Sequence, residues 1–177
     1  MQFISMGLRF GTFSITLTLI PIVVGSALYG WGSGAWLGFV FGVTVLLTGD
    51  ANLFLAVNIP GTIITVILKG ALAGAAAGFV YKLISKKNQI VAVIVSAIVA
   101  PVVNTGIFVL GSYVFFFDYL SGLAEGTNLF VFILVGLVGI NFFIELGINL
   151  VLNPAILQII RIGKKNFGGK NQIIKTK

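Results

Sequence analysis

Residues 60–82 read PGTIITVILKGALAGAAAGFVYK, and this stretch decides the fold class. Pro60 suits the first turn of a helix, where a missing backbone N–H costs little. Between Pro60 and Lys82 the only charged side chain is Lys69. Because about 20 residues of helix cross the hydrocarbon layer of a bilayer, the segment predicts a transmembrane helix.

The rest of the chain has the same character. Of its 177 residues, 58% are hydrophobic and 8% are charged, which leaves too few polar side chains to cover a water-soluble domain. Runs without Asp, Glu, Lys or Arg separate the charges. We therefore predict an all-α, polytopic transmembrane bundle with about five spans, at residues 13–30, 34–48, 60–82, 90–117 and 129–160.

The connecting segments divide the chain into spans. Glycines in the run Tyr29–Gly34 permit a tight turn, and polar segments follow at residues 49–59, 85–88 and 118–128. Residues 1–165 are expected to form one transmembrane domain. Residues 166–177 are expected to form a loose, basic cytoplasmic tail.

The cations predict the orientation, because Lys and Arg are enriched on the cytoplasmic side. This places the C-terminus in the cytoplasm of a plasma-membrane protein and the acidic residues Asp50, Asp118 and Glu125 outside. The cations that flank cytoplasmic segments are Lys82, Lys86, Lys87, Arg161, Lys164 and Lys165.

Several classes of function are excluded. The chain contains no Cys and no His, so thiol or imidazole catalysis and the usual zinc or haem ligands are absent, and we expect no enzyme, metal or cofactor. No Walker phosphate loop is present, so we expect that the chain does not hydrolyse ATP itself and that any energy it uses comes from elsewhere. The net charge of +7 is concentrated in flanking segments, which argues against nucleic-acid binding.

Polar side chains inside apolar spans are the candidate functional residues, because ionisable groups at membrane depth are costly. Lys69 and Glu145 are the two charged ones. Asn141, Glu145, Asn149 and Asn153 recur every four residues and share one helix face. Two interpretations stay open: Lys69 and Glu145 neutralise each other as a structural pair, or they form the floor of a substrate pocket.

The pocket interpretation extends to polar residues of neighbouring segments. Asn104 and Thr105 follow Pro101, which is expected to kink the fourth span. The candidate substrate-binding residues are Lys69, Asn104, Thr105, Asn141, Glu145, Asn58 and Thr65.

Small residues at four-residue spacing form a second pattern. Such faces let helix backbones approach closely, either within the chain or against another membrane protein. The candidate partner-docking residues are Gly30, Gly34, Gly38, Gly42, Gly70, Gly74 and Gly78.

Five stretches carry a resemblance to a known family. They are Ile20–Gly25 with Leu28–Gly30, Gly38–Gly42, Gly61–Gly74, Pro101–Gly106 and Asn141–Glu145. Over residues 10–165 the chain resembles the six-helix S component of energy-coupling factor (ECF) vitamin importers. The family's first helix has no evident counterpart, so we expect it to be missing from this sequence.

The resemblance implies a binding subunit that captures a vitamin from outside. Its implied partners are a transmembrane coupling protein and two cytoplasmic ATPases. The pantothenate type is nearest, with hydroxymethylpyrimidine, pyridoxine-like and folate binders as alternatives. A different class, a stand-alone ion-coupled secondary transporter using Lys69 and Glu145, stays open.

Overall fold

The computed structural model describes residues 12–124 and 126–174, with side chains described for residues 19–139, except 125, and for residues 142–165. Every regular element in this part of the chain is helical, which confirms the all-α prediction. The helices are α1 (Thr12–Tyr29), α2 (Trp31–Thr48), α3 (Asn52–Leu55), α4 (Ile59–Ile84), α5 (Gln89–Phe115), α6 (Phe117–Leu123), α7 (Leu129–Val131), a π-helix (Phe132–Gly139), α8 (Ile140–Val151) and α9 (Asn153–Ile174).

Local sequence explains where the long helices begin. The side chain of Asn58 accepts a hydrogen bond from the backbone N–H of Gly61 at 2.9 Å and caps α4. Asn88 caps α5 in the same way, accepting from the N–H groups of Ile90 and Val91. Gly30 separates α1 from α2 with φ at 96°, a left-handed conformation that glycine adopts without strain.

Close packing of α2 against α4 organises the first half of the bundle. A Cβ atom added to Gly42 would lie within 2.9 Å of the Val66 carbonyl oxygen. Gly34 and Gly38 face the backbone carbonyls of Gly74 and Gly70 in the same way. Only residues without a side chain allow backbones this close.

This packing involves most of the predicted docking residues. Six of the seven candidate docking glycines are buried between α2 and α4, namely Gly34, Gly38, Gly42, Gly70, Gly74 and Gly78. Their small faces meet inside the chain, as the packing alternative expects. Gly30 lies in the turn, where an added Cβ would have no atom within 4 Å. A role in docking another membrane protein stays a prediction for all seven.

The other helices complete a bundle around α4 and α5. Helix α5 packs along α4, and α1 contacts α2, α4 and α5. Two apolar clusters stabilise these contacts. The first joins α1, α2 and α4 and includes Leu19, Ile22, Phe41 and Val66. The second joins α1, α4, α5 and α9 and includes Val23, Ala77, Val93, Ala100, Ile156 and Ile160.

Three helices, α2, α4 and α5, are long and apolar enough to cross a membrane. A fourth crossing is formed if Leu129–Gly139 and Phe142–Val151, which bend by 41°, make one broken span. The predicted first span corresponds to α1, whose described apolar part, Leu19–Tyr29, is shorter than the other spans.

The predicted span at 129–160 is divided in the structure. A π-helix occupies Phe132–Gly139, and the chain breaks again at Leu152, between α8 and α9. Side-chain hydropathy is insensitive to changes in backbone hydrogen bonding, so the apolar run gave no sign of the π-helix.

The predicted tail is helical where the structure describes it, because α9 continues to Ile174. The domain boundary expected at residue 165 stays a prediction. The polar segments at 49–59 and 118–128 each contain a short helix, α3 and α6.

The packing of α2 on α4 predicts that Gly38→Ala destabilises the protein by about 1–3 kcal/mol, because the new methyl group meets the backbone of Gly70. Gly106→Ala is the matched control, since nothing lies within 4 Å of a Cβ at that helical position. The control should be neutral or slightly stabilising. Thermal unfolding in detergent measures both; equal shifts would contradict the packing.

Candidate functional site

Lys69 lies in the middle of α4, about 15 Å along the helix from Ile59 at 1.5 Å per residue. Its Nζ atom is 5.2 Å from the centre of the Phe108 ring on α5, a distance at which an ammonium group is attracted to the ring face. The carboxylates of Glu145 and Asp50 also attract Lys69 electrostatically.

Glu145 supplies the second charge, from α8, with only 5% of its surface exposed. It interacts electrostatically with Lys69, yet no salt bridge within 4.0 Å joins these two described side chains. A direct structural ion pair is therefore not what the structure shows.

Nine buried side-chain atoms in the described part of the chain have no hydrogen-bond partner in the protein. They come from α4, α5, α8 and α9 and are spread along the bundle. They are Thr65 Oγ1, Tyr81 Oη, Gln89 Nε2, Ser96 Oγ, Asn104 Oδ1, Ser112 Oγ, Asn149 Oδ1 and Nδ2, and Asn153 Nδ2. In a membrane interior each such atom costs free energy until it is paired, so those on the helix faces of Lys69 and Glu145 could pair with a hydrogen-bonding ligand.

Helix periodicity connects these atoms to the charges. Asn104 lies one turn before Phe108 on α5, and Thr65 lies one turn before Lys69 on α4. Thr65 packs directly against Gly111, which sets α4 and α5 in register. On α8 and α9, Glu145, Asn149 and Asn153 are all buried at four-residue spacing. The polar stripe expected on this face therefore points inward.

The structure brings together most of the predicted site residues. Lys69, Thr65, Asn104 and Glu145 lie in the interior described above, and Thr105 is half-buried beside Asn104. The side chain of Asn141 lies outside the described residues.

Asn58 makes structural contacts at one end of the bundle. Besides capping α4, its Nδ2 atom donates to the Phe115 carbonyl oxygen at 3.4 Å, which ties the start of α4 to the end of α5. Its role in substrate binding stays a prediction.

Phe108 is a residue of the candidate site that the sequence interpretation missed. It is apolar and resembles lipid-facing phenylalanines in sequence. Its position four residues after Asn104, on the same helix face, was the available signal.

A cavity of about 200 Å³ opens at one end of the bundle. Its walls come from both predicted polar segments, where the turn before α4 meets the turn between α5 and α6. It is lined by Val57, Asn58, Val114, Phe115, Phe116, Phe117, Asp118 and Tyr119. Lys69 and Glu145 do not line it, so the cavity and the deep polar site are separate features.

The electrostatic coupling predicts a non-additive pair of substitutions. Lys69→Met and Glu145→Gln should each lower the unfolding free energy, because each leaves one buried group uncompensated. The double variant should lose less than the sum of the singles, by about 0.5–3 kcal/mol. Chemical unfolding in detergent measures the cycle. Lys87→Met combined with Glu145→Gln is the control and should be additive; additivity in both cycles would refute the coupling.

Comparison with known proteins agrees with this architecture. The family model described as ECF transporter, substrate-specific component, matches residues 1–157. No curated protein and no solved structure matches the chain. The family is one of transporter components rather than enzymes, and the apolar helices agree with a multi-pass membrane location. This chain therefore belongs to the substrate-specific components of ECF transporters.

Proposed function

We propose that the chain captures pantothenate from outside the cell and delivers it through an ATP-driven module, made of a transmembrane coupling protein and two cytoplasmic ATPases. Membership of the family supports the role of substrate-binding component. The observation that carries the substrate proposal is the cation Lys69, set at membrane depth among buried amide and hydroxyl groups without protein partners.

The chemistry of the site favours a small anion with further hydrogen-bonding groups. Pantothenate carries a carboxylate, an amide and hydroxyl groups. Its carboxylate would accept charge-assisted hydrogen bonds from the Lys69 ammonium group, which are stronger than neutral ones. Glu145 repels a carboxylate and would instead accept hydrogen bonds from the hydroxyl or amide N–H groups of the ligand.

The amide side chains suit the uncharged part of such a ligand. An asparagine amide offers two N–H donors and a carbonyl acceptor. The Oδ1 atom of Asn104 and both polar atoms of Asn149 have no partner in the protein. They could pair with an amide or hydroxyl, which replaces the hydrogen bonds that the ligand gives up on leaving water.

The cavity at the end of the bundle suggests where the ligand enters. Asp118 lines it, and this acidic residue follows the end of α5. Lys82, Lys86 and Lys87 lie at the opposite ends of α4 and α5 from the cavity. Because cations are enriched on the cytoplasmic side, this distribution favours an orientation with the cavity outside the cell and the C-terminus in the cytoplasm. The short helices α3 and α6 would then cover the entrance.

This proposal predicts that purified protein binds pantothenate and that Lys69→Ala weakens binding about 10- to 100-fold, because one charge-assisted hydrogen bond is lost. Lys87→Ala is the matched control and should bind as the native chain does, since Lys87 is exposed in the α4–α5 turn. Isothermal titration calorimetry measures both. Folate, pyridoxine and hydroxymethylpyrimidine belong in the same series; tight binding of one of these with no binding of pantothenate would refute the substrate.

The charged pair also fits a second candidate, an ion-coupled secondary transporter, because coupled buried charges can relay co-ions. Uptake into vesicles separates the two. We expect uptake only when the coupling protein, both ATPases and ATP are present. Accumulation by the chain alone, driven by an ion gradient, would favour the second candidate.

A further inference from the structure

Six cations gather at the end of the bundle opposite the cavity. One lies in the last turn of α4, two lie in the turn between α4 and α5, and three lie on α9. This basic cluster consists of Lys82, Lys86, Lys87, Arg161, Lys164 and Lys165, all of them exposed. Their side chains take no part in the deep polar site.

The packing of α9 fixes the two halves of the basic cluster side by side. Ile156 and Ile160 are fully buried against α1, α4 and α5. A Cβ atom added to Gly163 would lie 2.8 Å from the Leu28 side chain, so α9 also lies close to α1. The Nζ atom of Lys164 is 5.0 Å from the centre of the Tyr81 ring, next to Lys82 in sequence.

The basic cluster has no acidic neighbours along its segments. The four acidic residues of the chain are Asp50, Asp118, Glu125 and Glu145. Asp50 and Asp118 follow the far ends of α2 and α5, and Glu145 is buried in the middle of α8. Six positive charges at one end of a bundle therefore call for anions from outside the chain.

Exposed apolar side chains lie beside these cations on the same helices. Phe79 and Leu83 on α4 are 56% and 59% exposed, and Ile159 and Ile162 on α9 are 49% and 53% exposed. Charged heads next to exposed apolar surface, at the end of membrane-length helices, match the boundary between headgroups and acyl chains.

We propose that the basic cluster binds anionic phospholipid, with the phosphate held by Arg161, Lys164 and Lys165 and the acyl chains lying on the apolar side chains of α4 and α9. A lipid satisfies both the charge and the apolar surface of this end. Free phosphate would satisfy the charge alone. Arg161 in particular can hold a phosphate with two parallel hydrogen bonds.

Trp31 provides a reporter for this end of the bundle. A Cβ atom added to Gly78, one turn before Lys82, would lie 2.7 Å from the Trp31 Cα atom. Trp31 is 56% exposed, and the chain contains one other tryptophan, Trp36. The variant Trp36→Phe therefore leaves a single indole beside the basic cluster.

The test uses the full chain carrying Trp36→Phe in phosphatidylcholine bilayers that contain about 20 mol% phosphatidylglycerol, a fraction that gives the surface an anionic charge. Bromine is placed on the acyl chains of one lipid class or the other, and quenching of Trp31 fluorescence gives the relative association of each class. Because each surface cation favours anionic lipid about fivefold, we expect phosphatidylglycerol to be preferred at least fivefold at low salt. The preference should fall as salt is added.

Two sets of variants isolate the basic cluster. Neutralisation by R161Q, K164Q and K165Q together should remove most of the preference, leaving only the weaker attraction of Lys82, Lys86 and Lys87. The charge-preserving set R161K, K164R and K165R should keep most of it. Circular dichroism and size-exclusion chromatography check folding, and K165Q alone should lower the preference severalfold if the triple variant fails to fold.

Three outcomes would overturn the proposal. The native cluster could show no preference for phosphatidylglycerol, which would indicate that the cations bind an acidic protein segment instead of lipid. The neutralised set could keep the full preference, which would place the lipid elsewhere. Millimolar glycerol phosphate could abolish the preference, which would assign the site to a soluble phosphate. If the cluster binds lipid as proposed, glycerol phosphate has little effect on the preference, because the acyl chains also contribute to binding.

Discussion

A polar atom buried inside a helical bundle in lipid must find its hydrogen-bond partner within the protein or in a ligand, because hydrocarbon offers none. Most of this chain obeys the rule through helical backbone hydrogen bonds and capping side chains such as Asn58 and Asn88. The side chains of Ser96, Asn104 and Asn149 do not, although they are almost completely buried. That contrast makes the interior between α4, α5 and α8 the candidate site for a ligand.

The two sides of α4 divide the work of positioning this interior. One side carries Gly70, Gly74 and Gly78 and packs backbone to backbone on α2, with Gly78 at the start of that helix. The other side carries Thr65 and Lys69, which meet Gly111 and Phe108 of α5. Because the glycine contact leaves little freedom for sliding or rotation, it fixes the depth and direction of Lys69. The small-residue face thus contributes to the site without being part of it.

Sequence patterns predicted those elements whose physics is local or periodic. The turn at Gly30, the start of α4 near Pro60 and the inward polar stripe from Glu145 to Asn153 follow from residue type and spacing. The π-helix at Phe132–Gly139 was not predictable, because an apolar run has the same hydropathy whichever hydrogen-bond pattern it adopts. The break at Leu152 was missed although Asn153 and Pro154, a dipeptide typical of helix breaks, follow it. Glycine spacing predicted close packing but not the partner, and only the fold shows that α2 and α4 use it on each other. Phe108 was missed because, apart from its spacing from Asn104, a ring that contacts a cation resembles a lipid-facing ring in sequence.

The central claim is that the deep polar groups form a compartment reachable from the end that carries the cavity, and cysteine accessibility tests it most directly. The chain has no cysteine, so each substituted cysteine is the single reactive thiol. Asn104→Cys should react with a membrane-impermeant maleimide added outside, and pantothenate should protect it. Val102→Cys, on the exposed face of the same helix, should stay unlabelled in lipid because the thiolate cannot form there. An Asn104→Cys thiol that is sealed from the reagent, with and without ligand, would contradict the account.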